Sequence, residues 1–200
     1  MRSTKRFAAF IITIVAVLIF GATLVHALWY APDTEIAVPN ASSTPGQEVP
    51  GADQPSRLVI PALKIDANVQ HVGVKADGSM GTPNNFTDVA WYKYGPAPGY
   101  QGSSVIDGHV DNGLSLAGVF KHLADIKVGD DVYVQTAGGN MLHFVVSDIE
   151  IYPYKSVPTD QIFNRTDRAR LNLITCDGTW VKGGDTYNER LVVYTVLVSG

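Results

Sequence analysis

A single cysteine, Cys176, is the only thiol in this chain of 200 residues. One cysteine excludes an internal disulfide, and no Cys/His cluster has zinc spacing. Positive charge is sparse as well. Lys and Arg total 15 against 19 acidic residues, for a formal net charge of −4, and no basic cluster follows the first six residues. That excludes the electrostatic footprint of a nucleic-acid-binding surface. The chain also lacks an internal repeat, a phosphate-binding glycine loop and a Gly-x-Ser-x-Gly elbow. Its acidic residues do not follow calcium-loop spacing, so neither a metal nor a cofactor is expected.

What is present begins with a hydrophobic run. Arg2, Lys5 and Arg6 precede an uncharged stretch over residues 7–30, long enough to cross a bilayer as a helix. The competing reading, a cleaved signal peptide suggested by Val25-His26-Ala27, accounts less well for its length. Basic residues before the span, and Asp33, Glu35, Glu48 and Asp53 after it, orient the N-terminus to the cytoplasm and export the rest. Trp29 and Tyr30 fall where an interfacial aromatic belt would lie. Residues 31–56 are Pro/Ser-rich, with Pro32, Pro39, Pro45, Pro50 and Pro55 interrupting any regular element. They read as a semi-extended extracytoplasmic tether or as a linker without a length requirement. The expected organisation is therefore an anchor at 1–30, a linker at 31–56 and a globular domain at 57–200.

The globular domain is mainly β. Strands are expected at 58–60, 67–74, 103–106, 131–136, 141–151, 170–175 and 190–198, with Ala137-Gly138-Gly139-Asn140 as a hairpin turn. Helix is expected at 116–126, where Leu116, Val119, Phe120 and Leu123 share one face, and as a short turn at 159–163. Many short strands with few helices point to a closed or nearly closed barrel. A domain of this size buries about 70% of its unfolded surface and needs no disulfide or metal for stability.

A lone thiol outside the cytoplasm is exposed to oxidation, and it is either inert core filler or functional. A nucleophilic thiol needs a histidine or cation to stabilise the thiolate, and acyl transfer needs donors for an oxyanion. Of the five histidines, His26 lies in the apolar run, His71 and His143 lie in strands with structural roles, and His122 is expected to be solvated on the candidate helix. His109 differs, because Val105-Ile106-Asp107-Gly108-His109 runs from a buried-type strand into a turn, as the stretch ending in Cys176 does. Arg190 opens the β-branched run Leu191-Val192-Val193-Tyr194-Thr195-Val196-Leu197 and is either an ordinary surface residue or a cation held at the strand's mouth or on its face.

Gly108-His109, Leu173-Ile174-Thr175-Cys176 and Arg190 before the terminal strand closely resemble the His, Thr-Leu-x-Thr-Cys and Arg motifs of sortases, the cysteine transpeptidases of Gram-positive cell surfaces. The likeness runs from Leu58 to the C-terminus. Ile60-Pro61, Gly73-Val74 with Ala76-Asp77-Gly78, and Ala90-Trp91-Tyr92 with Gly95-Pro96-Ala97-Pro98-Gly99 resemble class F most, with classes E and D as neighbours. Leu173-Ile174 departs from the commoner Thr-Leu-x, and the loop 177–189, with Trp180, Lys182 and Gly183-Gly184, leaves the substrate preference open.

The resemblance implies an eight-stranded β-barrel with Cys176 at the end of the seventh strand. Cys176 would attack the threonine carbonyl of a Leu-Pro-x-Thr-Gly type signal on a surface protein. His109 would serve as acid and then base, and Arg190 would hold the oxyanion or the substrate backbone. An amine acceptor, either a cell-wall precursor or a pilin lysine, would resolve the thioacyl enzyme. A Cys/His pair titrating together implies a bell-shaped rate profile. Thr175, with Ile174 beside it, either contacts substrate or packs within the strand. Asp107 and Asp111 either orient the His109 ring or serve as turn residues. A second class of function, an inactive anchored barrel used for adhesion or scaffolding, predicts an inert Cys176. A third, a transpeptidase of the L,D type, lacks its serine-histidine-glycine-cysteine cluster here.

Overall fold

The computed structural model describes residues 2–29, 36–39, 49–111, 116–184 and 186–198, with side chains of the N-terminal helix described for residues 10–25. Helix α1 spans Arg2–Trp29. No helix among the described residues is long and apolar enough to cross a membrane. Tyr30, the Trp29 and His26 side chains, and most of the expected tether (31–35 and 40–48) lie outside the described residues.

Eight strands close a barrel: β1 Pro55–Ile60, β2 Ile65–Val72, β3 Val89–Tyr92, β4 Gly102–Gly108, β5 Asp131–Thr136, β6 Met141–Pro153, β7 Ala169–Val181 and β8 Thr186–Leu197, in the order β1-β2-β3-β4-β7-β8-β6-β5. The β1–β5 pairing completes the ring, which leaves no free sheet edge. Two neighbouring pairs are parallel, β2–β3 and β4–β7. Parallel neighbours need a long connection, and each one here carries something the site uses. Residues 73–88 bring Pro83 beside the end of β4, and the path from β4 to β7 includes the short helix α2 Thr159–Phe163.

Period-2 alternation sorts the strands into two apolar layers. Leu58, Ile60, Trp91, Ile106, Phe144, Leu171, Leu173, Leu191 and Val193 fill the barrel. On the outer face, Tyr92, Val105, Ile174, Val192 and Tyr194 form a second layer, covered by Ile162 and Phe163 of α2 and by Met80. Both sides of β4 are therefore buried, which is why it reads as a continuous buried run rather than as alternation.

Residues 36–39 belong to this outer layer. Ile36 and Val38 are buried, and this short piece pairs with residues 78–80 through Val38 N to Gly78 O at 3.1 Å and Met80 N to Ile36 O at 2.9 Å. Part of the expected tether is thus packed against the barrel. Apolar residues at alternating positions 36 and 38 suffice for this docking.

Two expectations about elements need correction, and one strand was not expected. The segment 116–126 is not a helix. It is a chain of turns ending in a single 3-10 turn, Leu123–Asp125. Its amide donors go to distant carbonyls: Gly118 to Val110, Val119 to Phe86 and Phe120 to His109, at 2.9, 2.8 and 2.9 Å. Gly118 lies so close to the His109 carbonyl that a Cβ would overlap it, so the glycine is required by backbone approach. Strand β3 has no alternation to announce it, because all four of its residues are buried. Lastly, the expected loop 177–189 is mostly strand. β7 and β8 continue past Cys176 and Arg190, with a bulge between Asp177 and Trp180, and turn residues follow β7 at 182–184. The hairpin at 137–140 forms as expected, with Gly139 at φ 88°.

Candidate active site

Register alone assembles the site. Cys176 lies directly opposite Arg190 across the antiparallel β7–β8 pair, so their side chains leave the same face with Cβ atoms about 4.5–5.5 Å apart. Ile174, Cys176, Val192 and Arg190 thus all point outward, away from the barrel interior. The parallel β4–β7 pair matches Asp107 with Ile174, and continuing that register by two residues on each strand brings His109 alongside Cys176. The Thr175 hydroxyl secures the junction by donating to the Gly108 carbonyl at 2.8 Å. The residue preceding the thiol is therefore bonded to the residue preceding the imidazole. Cys176 of β7 and Arg190 of β8 lie within the paired length of the two strands, so Arg190 stands on the strand's face and not at its mouth, because the bulge after Cys176 lets both strands run on.

Each of the three side chains is buried. His109 Nε2 donates to the Pro83 carbonyl at 3.0 Å, which fixes the orientation of the ring and places a proton on that nitrogen. The Arg190 guanidinium is held by three acceptors. Nη1 donates to the Tyr187 and Glu189 carbonyls at 2.9 and 2.8 Å, and Nη2 donates to Thr186 Oγ1 at 2.8 Å. It also lies over the Tyr154 ring, 5.6 Å from its centroid. A guanidinium pinned in this way keeps a fixed direction, which a flexible ammonium would not.

Thr175 and Ile174, expected as substrate contacts or strand packing, divide. Thr175 is buried with its hydroxyl given to Gly108, whereas Ile174 belongs to the outer apolar layer that adjoins the thiol. Asp111 is buried, and its carboxylate accepts from the Tyr187 hydroxyl at 2.7 and 2.8 Å and from Lys121 Nζ at 3.2 Å. Burial, the hydrogen bond to Asp111 and the negative charges of Asp111 and of a Cys176 thiolate hold the Tyr187 phenol well above its ordinary range, so it remains a donor. Asp107 is buried on the outer face of β4.

The other histidines are occupied elsewhere, as expected of structural residues. His71 Nε2 bonds the Pro55 carbonyl at 2.8 Å, and His143 stacks on Tyr133 with ring centroids 4.7 Å apart. His122 is solvent-exposed and lies 3.3 Å from Asp125. Among the described residues, no group of three or more His, Cys, Asp or Glu could hold a metal ion.

Sequence reasoning missed Pro83, Tyr154, Thr186 and Tyr187. Pro83 and Thr186 act through one oxygen each, which no residue pattern marks. Tyr187 sits in a polar stretch whose strand pairing is visible only once Trp180 is placed opposite it.

A closed barrel with an outward-facing thiol, imidazole and guanidinium is the architecture of a cysteine transpeptidase. Residues 58–198 match the family model described as the sortase domain, and the chain belongs to that family. Solved structures agree on the fold. Sortase A from Corynebacterium diphtheriae superposes with a TM-score of 0.57 at 21% identity, covering 74% of this chain and 61% of that one. Sortase C-1 from Actinomyces oris gives 0.54 at 26% identity, covering 72% of this chain and 73% of that one. A sortase D5 transpeptidase from Clostridium perfringens gives 0.55 at 17% identity, covering 76% and 84%. The chain thus spans less than two thirds of the Corynebacterium relative. No curated protein sequence matches it significantly.

Proposed function

We propose that this protein is a sortase that cleaves the Thr-Gly bond of a Leu-Pro-x-Thr-Gly type signal and transfers the new acyl end to an amine at the cell surface. The observation that carries the reading is the register that sets Cys176 opposite Arg190 and beside His109 on one outer face. The Cys176 thiolate adds to the threonine carbonyl, and the tetrahedral oxyanion is stabilised by Arg190. His109 gives a proton to the departing glycine amine as the C–N bond breaks, leaving a thioester. It then takes a proton from the incoming amine, which attacks the thioester and releases the thiolate.

The acceptor, a cell-wall precursor or a pilin lysine, belongs to this proposal, as does assignment to class F, which rests on the motifs at 60–61, 73–78 and 90–99. Anchoring by a single N-terminal helix, with the catalytic domain outside a Gram-positive cell, is supported by Arg2, Lys5 and Arg6 ahead of the uncharged stretch. Recovery of the full-length chain in the soluble fraction would contradict the anchor. The reaction is tested by incubating the protein with a panel of sorting-signal peptides with and without amine acceptors. Cleavage by the wild type and none by Cys176→Ala is expected, and retained turnover in that variant would overturn the proposal.

A further inference from the structure

The β7–β8 hairpin projects beyond the thiol, and one of its residues contacts both Asp111, two residues from His109, and Arg190. Tyr187 pairs with Trp180 across the hairpin, with the two rings edge to face at 5.4 Å. Its hydroxyl reaches both oxygens of Asp111, at 2.8 and 2.7 Å. Asp111 lies two residues beyond His109, and the segment that follows folds back on the histidine. Asp111 bridges to Ala117, Gly118 N bonds Val110 O, Phe120 N bonds His109 O, and Lys121 Nζ returns to the Asp111 carboxylate. The Tyr187 hydroxyl is therefore a crosslink between the loop that presents His109 and the hairpin that carries Cys176 and Arg190. The same residue's main-chain carbonyl accepts from Arg190 Nη1 at 2.9 Å.

From this juxtaposition we infer that Tyr187 is a positioning residue, whose hydroxyl, through Asp111, fixes His109 relative to Cys176 while its carbonyl orients Arg190. The inference rests on the transpeptidase reading above. It deepens that reading by naming a contact, beyond the β4–β7 ladder and the Thr175–Gly108 bond, that holds the two segments together. The phenol also donates to a buried carboxylate close to a thiol that must ionise. With the hydroxyl removed, the Asp111 carboxylate keeps the Lys121 contact but loses this donor, and an anion less well compensated disfavours the Cys176 thiolate.

Tyr187→Phe keeps the ring, the Trp180 contact and the carbonyl bond to Arg190, and loses only the hydroxyl. Two measurements separate this inference from the reading beneath it. In sorting-peptide cleavage, Tyr187→Phe should lower kcat by about tenfold to a hundredfold, the scale of a small misplacement of reacting groups, with KM unchanged. Alkylation of Cys176 by iodoacetamide, which needs no substrate, should slow severalfold in the same variant. Asp111→Asn serves as the second variant: its remaining carbonyl oxygen still accepts from Tyr187, so it should lose less than Tyr187→Phe, and the double variant should be no worse than Tyr187→Phe alone. A wild type that alkylates readily but cleaves no peptide would count against the transpeptidase, and the alkylation rates would still judge Tyr187. Wild-type rates in Tyr187→Phe, an effect confined to KM, or additive losses with Asp111→Asn would each overturn the inference.

Discussion

Arg190 shows how a charged side chain comes to be wholly buried in a barrel of this kind. Removing a guanidinium from water costs several kcal/mol unless its donors are satisfied, and here three oxygens and the Tyr154 ring surround it. Those contacts also fix its direction toward the face shared with Cys176. Lysine in its place keeps the charge but cannot reach three acceptors from one planar group. Arg190→Lys should therefore fold and should lose roughly two orders of magnitude in kcat/KM for peptide cleavage, the scale of a missing oxyanion donor. A loss smaller than threefold would contradict an oxyanion role. At this scale the sequence was informative for Cys176, His109 and Arg190, since each belongs to or adjoins a strongly apolar strand. It was silent on Tyr187 and Pro83, whose contributions are a long-range hydrogen bond and a single carbonyl.

Among the elements, the segment after His109 is the one whose local pattern misleads. Leu116, Val119, Phe120 and Leu123 have helical spacing, yet only Phe120 and Leu123 are buried, and the amides of 118–120 bond to Val110, Phe86 and His109. Tertiary hydrogen bonds outweigh a helical propensity of a few tenths of a kcal/mol per residue. Gly118 is the condition for this, because any Cβ there meets the His109 carbonyl. Gly118→Ala should cost about 1–3 kcal/mol, as overpacking does, and should show as a lower denaturation midpoint in urea. An unchanged midpoint would show that the loop does not press on the histidine. Strand β3 escaped notice for the opposite reason: with both faces covered, its four residues carry no alternation. The hairpin beyond Cys176 was read as a loop because Gly178, Lys182, Gly183 and Gly184 are turn residues, although only the last three sit in the turn.

For the whole molecule, the barrel has two apolar layers, and the outer one serves both stability and the site. It takes in Ile36 and Val38 from the N-terminal side, and they pair with the 78–80 segment of the same connection that reaches Pro83 and so His109. Truncating Ile36 in that layer to alanine should destabilise the protein by about 2–5 kcal/mol, as expected for a buried isoleucine, read as a lower melting temperature. A change below half a degree would mean that the segment does not stay docked in solution. The closed β-architecture was legible from strand spacing and turn residues, whereas its strand order, with two parallel neighbours, was not, because pairing between distant strands leaves no local mark. In the proposed reaction, Cys176 on the outer face of this barrel is an acyl-transfer nucleophile. Mass spectrometry of the protein mixed with a Leu-Pro-x-Thr-Gly peptide, without an amine acceptor, tests it most directly. The expected result is an adduct equal to the peptide's acyl portion ending at threonine, mapped to Cys176 and discharged on adding an amine. Peptide cleavage with no adduct on Cys176, or an adduct on another residue, would contradict it.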